Sequence, residues 1–157
     1  MKFNKIFLIM LLVALVATVG FVAAEEATVG AYTFTIPDGY TIATQDDTTI
    51  AMQLDANNAI SFATEVSDDI ESSKQAFIDQ GKELIAEEEM DYNDMHFNLQ
   101  AFKYDQAGTT LYAYNYIYLS DSGNFVLTLV TDNAEFDYDL NAEGNPAATL
   151  LSSLVMS

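Results

Sequence analysis

Alternating apolar and polar positions run through most of this chain and predict a protein built mainly from β-strands. The glycine-containing segments 105–108 and 120–123 are typical of hairpin loops and predict antiparallel pairing of the strands around them. Four short strands are expected in the first half of the chain and three long ones in the second half, at 32–36, 40–44, 48–54, 59–65, 95–104, 110–119 and 124–131.

A helical period replaces the alternation between the short and the long strands. Phe77 and Leu84 recur at helical spacing, and Asp68 with Glu71 three positions later resembles a capping box. These features predict a long helix over 69–89.

A second, shorter helix is predicted near the end of the chain. Asn145 and Pro146 supply a helix N-cap and a proline at the first helical position, and the apolar residues that follow include Leu150 and Leu151. The expected fold class is therefore α+β, with an antiparallel sheet of about six to seven strands flanked by one long helix and a short C-terminal helix.

The strand predicted at 110–119 has an unusual aromatic face. Its tyrosines alternate with Leu111, Ala113, Asn115 and Ile117, so the tyrosines share one side of the strand. If the apolar faces of neighbouring strands coincide, Ile117 lies on the same side as Phe97, and the long helix packs there through Phe77 and Leu84.

The tyrosines would then lie beside polar residues of the neighbouring strand. Such a row of rings and amides could bind a glycan or a peptide. The alternative is purely structural, since tyrosines form strands well and the closing helix could cover this face. The candidate ligand-binding residues are Tyr112, Tyr114, Tyr116, Tyr118, His96, Asn98 and Gln100.

The first 24 residues have the pattern of an export signal. Lys2 and Lys5 precede an uncharged run over 6–24, and the small residues Val22 and Ala24 fit the rule for signal-peptidase cleavage. The run is also long enough for an uncleaved membrane anchor. Either reading places the rest of the chain outside the cytoplasm, with 25–31 as a short linker and 32–157 as a single domain.

Beyond residue 24 the chain is strongly acidic. It retains all 24 carboxylates but only Lys74, Lys82 and Lys103, a net charge of −21. Binding to nucleic acid requires cations that neutralise phosphates, so that class of partner is excluded. Peripheral binding to anionic lipid is disfavoured for the same reason. The absence of cysteine excludes disulfides and a lipidated cysteine.

The order of elements and the segment Tyr32-Thr-Phe-Thr-Ile-Pro-Asp-Gly-Tyr40 resemble the PsbP/DcrB superfamily, whose domains open with F-x-x-P-x-G-[WY]. This resemblance implies an antiparallel sheet flanked by helices and a non-enzymatic accessory or binding role. The superfamily shares no catalytic residues, so it implies none here. The chain lacks the lipidated cysteine of the superfamily's lipoprotein members.

Catalytic chemistry finds little support in the sequence. The chain has no cysteine, His96 is its only histidine, and the nucleophile motifs G-x-S-x-G and S-x-x-K are absent. A single histidine without cysteine also disfavours a zinc site. The chain is therefore expected not to be an enzyme.

Calcium is the one cofactor that the sequence leaves open. Asp137, Asp139, Asn141 and Glu143 place oxygen ligands at alternate positions of an acidic loop over 132–143. The glycine that an EF-hand requires in this loop is replaced by Ala142, so only an irregular, weak site fits. A solvated acidic loop is the simpler interpretation.

These observations favour a non-catalytic exported or cell-envelope module, secreted or anchored at the outer side of the cell membrane. An envelope protein, a peptide or a glycan are the candidate partners. A weak calcium-binding extracellular domain is the alternative function, and a hydrolase is a second one.

Overall fold

The computed structural model describes residues 26–156, which form ten β-strands and two α-helices. In chain order these elements are β1 (Glu26–Val29), β2 (Tyr32–Thr35), β3 (Thr41–Gln45), β4 (Thr49–Asp55), β5 (Asn58–Thr64), α1 (Ile70–Asp79), β6 (Glu83–Tyr92), β7 (Met95–Gln106), β8 (Thr109–Tyr118), β9 (Phe125–Thr131), α2 (Pro146–Ser152) and β10 (Val155–Met156).

The strands form two antiparallel sheets. The large sheet has seven strands in the order β3-β4-β5-β9-β8-β7-β6, and the small sheet has three in the order β1-β2-β10. The α+β class and the seven-stranded antiparallel sheet confirm the prediction. The small sheet was not predicted, and β1 occupies residues that the sequence analysis assigned to a linker.

Both faces of the large sheet are covered. On one face, Phe62, Leu99 and Tyr116 pack with the small sheet and α2 in the main core. On the other face, Phe77 of α1 contacts Phe102 edge-on, with 5.1 Å between ring centroids. The large sheet is therefore the middle layer, and no strand in its centre has a solvent-facing side.

The long helix predicted over 69–89 is half as long as expected. Asp69, and not Asp68, caps α1, because its side chain accepts a hydrogen bond from the Ser72 amide at 3.0 Å. The helix ends where Gly81 adopts a φ of +92° and the Lys82 amide donates to the Phe77 carbonyl at 3.1 Å.

The chain continues as strand β6, so the helix prediction is wrong for 83–89. Ala86, Met90 and Tyr92 are half-buried and pack against the main core, whereas Leu84 packs with Phe77 on the α1 side of the sheet. Leu84 follows Phe77 by two helical turns, so it extends the helical pattern of the sequence into the strand. A bulge between Leu84 and Ala86 further obscured the strand pattern.

The predicted antiparallel pairing of β7 with β8 is correct, but the apolar faces of the two strands do not coincide as predicted. Leu99 lies opposite Tyr116, and Gln100 lies opposite Asn115. The two-residue turn at Ala107 and Gly108, both with positive φ, sets this register. Coincidence of apolar faces could not set it, because both faces of this sheet are buried.

No helix within residues 26–156 is long and apolar enough to cross a membrane. The predicted export signal or anchor over 1–24 lies outside the described residues.

Candidate functional site

The tyrosines of β8 lie on the main core face and not beside His96, Asn98 and Gln100. Tyr114 and Tyr116 are 3% and 0% exposed, and Tyr112 and Tyr118 are half-buried. Their neighbours on this face include Leu99 of β7 and Leu127 of β9. Thr128 and Val126 of β9 lie on the opposite face, with Asn115 and Ile117.

The three polar residues predicted to accompany the tyrosines lie on the opposite face of the sheet. Gln100 is buried, and its side-chain amide donates to the Ile70 carbonyl at 3.2 Å. Asn98 is half-buried, and His96 is exposed. The predicted surface of tyrosines, His96 and amides therefore does not exist as one face, because the register of β7 against β8 separates its two halves.

A loop over 132–145 covers Tyr114 and Tyr116, the two buried tyrosines of β8. The Tyr116 hydroxyl donates to the Tyr138 carbonyl at 2.7 Å, and burial raises the pKa of Tyr116. The Tyr138 ring stacks on Tyr114, with 5.5 Å between ring centroids, and Phe136 also contacts Tyr114. The tyrosine row thus supports the acidic loop that the sequence analysis considered for calcium.

The other end of Tyr138 reaches strand β6. Its hydroxyl donates to the Glu88 carboxylate. This hydrogen bond, with a smaller effect of desolvation, raises the pKa of Tyr138 to about 12. Tyr138 therefore joins the loop to both β8 and β6. It holds the loop at a set distance from the edge of the sheet.

Between β6 and this loop lies a cleft of about 730 Å³, which we call the acidic cleft. Six carboxylates line it, together with the apolar side chains of Met90 and Phe136 and with Tyr138 and Asn141. No lysine or histidine is among the described residues that line it. The six acids are Glu88, Glu89, Asp91, Glu135, Asp137 and Asp139.

His96 of β7 binds two of these six acids. Its two ring nitrogens lie 2.6 Å from Asp91 and 2.8 Å from Glu89, and the two carboxylates raise its pKa, Asp91 having the larger effect. Protonated His96 would balance part of the charge on β6. Because both nitrogens are engaged with carboxylates, neither is left to activate a hydroxyl nucleophile.

The predicted calcium ligands are exposed and partly committed to the backbone. Asp137 accepts a hydrogen bond from the Asp139 amide at 3.1 Å, and Asp139 accepts one from the Asn141 amide at 2.9 Å. Glu143 is exposed and does not line the acidic cleft. Within residues 26–156, no group of three or more histidine, aspartate or glutamate side chains is placed to hold a metal ion.

A second concave region lies on the other side of β6, which we call the helix-side cleft. Its volume is about 440 Å³, and Glu71, Glu87, Glu88 and Glu89 are its charged lining residues. Lys74 binds Glu71 at 2.8 Å and Glu87 at 3.1 Å across it. Strand β6 therefore has a carboxylate-lined concavity on each side.

Neither strand β6 nor Tyr138 was predicted from the sequence to be part of a site. The signal for the strand was the alternation of Ala86, Glu88, Met90 and Tyr92, which the run of three glutamates masked. Nothing in the sequence pairs Tyr138 with Glu88, because fifty residues separate them.

The comparisons with known proteins concern the fold. No protein-family model matches the sequence, and no curated protein is significantly similar to it. The fold is similar to that of a protein from Bacteroides thetaiotaomicron VPI-5482, with a TM-score of 0.57 and 6% identity over 87% of this chain. This chain spans about half (49%) of the length of that structure.

The structural matches also include cyanobacterial PsbP (CyanoP) from Synechocystis sp. PCC 6803. That match has a TM-score of 0.48 and 15% identity, and it covers 90% of this chain and 96% of CyanoP. The match to the Bacteroides protein shows a shared fold alone. The relation to the PsbP/DcrB superfamily therefore stays a resemblance.

Proposed function

We propose that this chain is a non-catalytic binding module that acts outside the cytoplasm and binds a cationic partner in the acidic cleft. The observation that carries the proposal is the cleft itself, which six carboxylates line together with two apolar side chains, and of these acids the described ion pairs join only Glu89 and Asp91 to a cationic partner, His96. The partner is an envelope protein or a peptide rich in lysine or arginine.

The construction of the cleft supports this role. The buried tyrosines of β8 and the Tyr138–Glu88 hydrogen bond hold one wall, and the paired strands β6 and β7 form the other. A site held in place before binding loses less conformational entropy when the partner arrives. The apolar side chains of Met90 and Phe136 can pack against the aliphatic stems of lysine or arginine.

The test is a calorimetric titration with a short lysine-rich peptide, carried out at low and at high salt. We expect binding that weakens as salt is added, because exposed charges are screened beyond about 10 Å at 0.1 M salt. Asp137→Asn with Asp139→Asn should weaken binding several-fold. Asparagine keeps the oxygen that accepts the backbone hydrogen bonds, so the loop should stay folded.

The matched control removes two charges elsewhere. Asp38 and Asp121 are exposed and do not line the acidic cleft. Asp38→Asn with Asp121→Asn should therefore leave the affinity close to that of the native protein. Equal losses in the two double variants would reduce the binding to an effect of overall charge and would contradict the proposal.

The same variants test calcium as the ligand. A rise in melting temperature with Ca²⁺ that exceeds the rise with Mg²⁺, and that disappears in the Asp137/Asp139 double variant, would establish the weak calcium site instead. We expect equal responses to the two ions, because within residues 26–156 no group of three or more acidic or histidine side chains is placed to hold a metal ion.

A further inference from the structure

We infer that the partner binds by adding a β-strand to the open edge of β6, and that it is an extended segment with basic side chains on both of its faces. This inference rests on the proposed function and names the way in which the cationic partner is held.

The first observation is the edge itself. β6 is the last strand in the order of the large sheet, and within the described residues it pairs only with β7. In an antiparallel strand, alternate backbone N–H and C=O groups point away from the paired neighbour. A partner strand can bind these groups, as peptides do in β-strand addition.

The features that usually prevent such pairing are only partly present in β6, and its charges act against an acidic strand rather than a basic one. Proteins protect edges with short strands, prolines, charged side chains and bulges. β6 is ten residues long and contains neither proline nor lysine. Its one bulge lies between Leu84 and Ala86, and from Glu87 to Tyr92 the pairing with β7 is regular.

The opposite edge of the sheet shows the contrast. β3 has only five residues, and a bulge between Ile42 and Thr44 interrupts its pairing. That edge offers no comparable regular stretch. The long regular edge of the sheet is therefore the acidic one.

The charges around β6 indicate the side chains of the added strand. Successive side chains of a strand point to opposite faces. Those on one face of the added strand would enter the acidic cleft, near Glu88, Asp137 and Asp139. Those on the other face would enter the helix-side cleft, near Glu87 and Glu89. Lys74 and His96 already bind some of these carboxylates, but in both clefts the acids outnumber them, so both sets of side chains favour lysine or arginine.

A second copy of this chain does not fit the same edge. Pairing β6 with another β6 would bring together the five carboxylates that each strand carries. Like charges placed directly opposite each other destabilise a strand pair. The edge therefore selects a basic partner and disfavours self-association.

The test uses two eight-residue peptides of lysine and threonine with lysines on both faces. One is unmodified, and the other carries N-methyl groups on all of its backbone amides, which keeps the charge but blocks backbone pairing along both edges. We expect the unmodified peptide to bind at least about tenfold more tightly, since several backbone hydrogen bonds are lost on methylation. When the unmodified peptide is bound, the amide protons of alternate residues of β6 over 87–92 should also exchange more slowly with solvent.

A pair of variants locates the binding edge. Glu89→Lys places a lysine on β6, whereas Asp121→Lys makes the same change of charge at an exposed position away from it. The first should lose most of the affinity and the second little of it. Equal losses in the two variants would overturn strand addition at β6.

The remaining outcomes separate the inference from the proposed function. If both peptides bind equally and the β6 amides stay unprotected, the strand-addition inference is overturned while cationic binding in the acidic cleft stands. If neither peptide binds, both are overturned.

Discussion

At the scale of single residues, the tyrosines of β8 show why side-chain type alone does not place a residue inside or outside. Tyrosine fits either role, because its ring is apolar and its hydroxyl is polar. Tyr116 is fully buried because the Tyr138 carbonyl and the Asn145 side chain are available to its hydroxyl. Those partners come from a loop whose path the sequence does not reveal.

Replacing the buried tyrosines should therefore damage the fold. We expect Tyr116→Ser to lower the free energy of unfolding by about 3–5 kcal/mol and Tyr114→Ser by a similar amount, as for other large buried aromatic residues. Tyr116→Phe should cost less, about 1–3 kcal/mol, because it keeps the ring but removes the hydroxyl that bonds to the Tyr138 carbonyl and the Asn145 side chain. Chemical denaturation measures all three. Near-native stability of both serine variants would mean that the loop leaves the row open as a surface.

At the scale of elements, the sequence predicted most strands and the α+β class but not the register of β7 against β8 or the helix boundary. Periodicity identifies a strand that has one buried face, and it loses that power where both faces are buried, as at Leu99 and Gln100. The decisive signals were local. Gly81 ends α1, and the turn at Ala107 and Gly108 sets the pairing of the hairpin.

The turn at Ala107 yields a prediction. Ala107 has a φ of +51°, a conformation that costs residues with a Cβ roughly 1–2 kcal/mol, whereas asparagine tolerates it and is preferred at this place in such turns. Ala107→Asn should raise the free energy of unfolding by about 0.5–1 kcal/mol. Ala107→Val, which is β-branched, should lower it. Urea denaturation of the three proteins checks the order, and a stabilising valine would contradict the assigned turn.

At the scale of the whole molecule, the net charge of the domain and the position of β1 both bear on whether the segment over 1–24 is cleaved or stays as an anchor. A linker over 25–31 was predicted between the export signal or anchor over 1–24 and the domain. β1 instead begins at Glu26 and pairs with β2 in the small sheet. An uncleaved anchor would therefore hold a domain of net charge −21 against the membrane surface, where anionic lipids repel it.

Cleavage removes this conflict, and we expect the native protein to be cut after Ala24. Its mass should then correspond to residues 25–157, with Glu25 directly before β1. Mass spectrometry of protein taken from its natural host, with membrane and soluble fractions analysed separately, measures this. Ala24→Arg places a large, charged residue where the cleavage rule needs a small one, so it should leave the full-length chain in the membrane fraction. Ala27→Ser changes a residue of similar size inside β1 and should still be cut. A full-length native chain that stays in the membrane after a carbonate wash would show that the segment is an anchor, and that the acidic domain works at the membrane surface despite its charge.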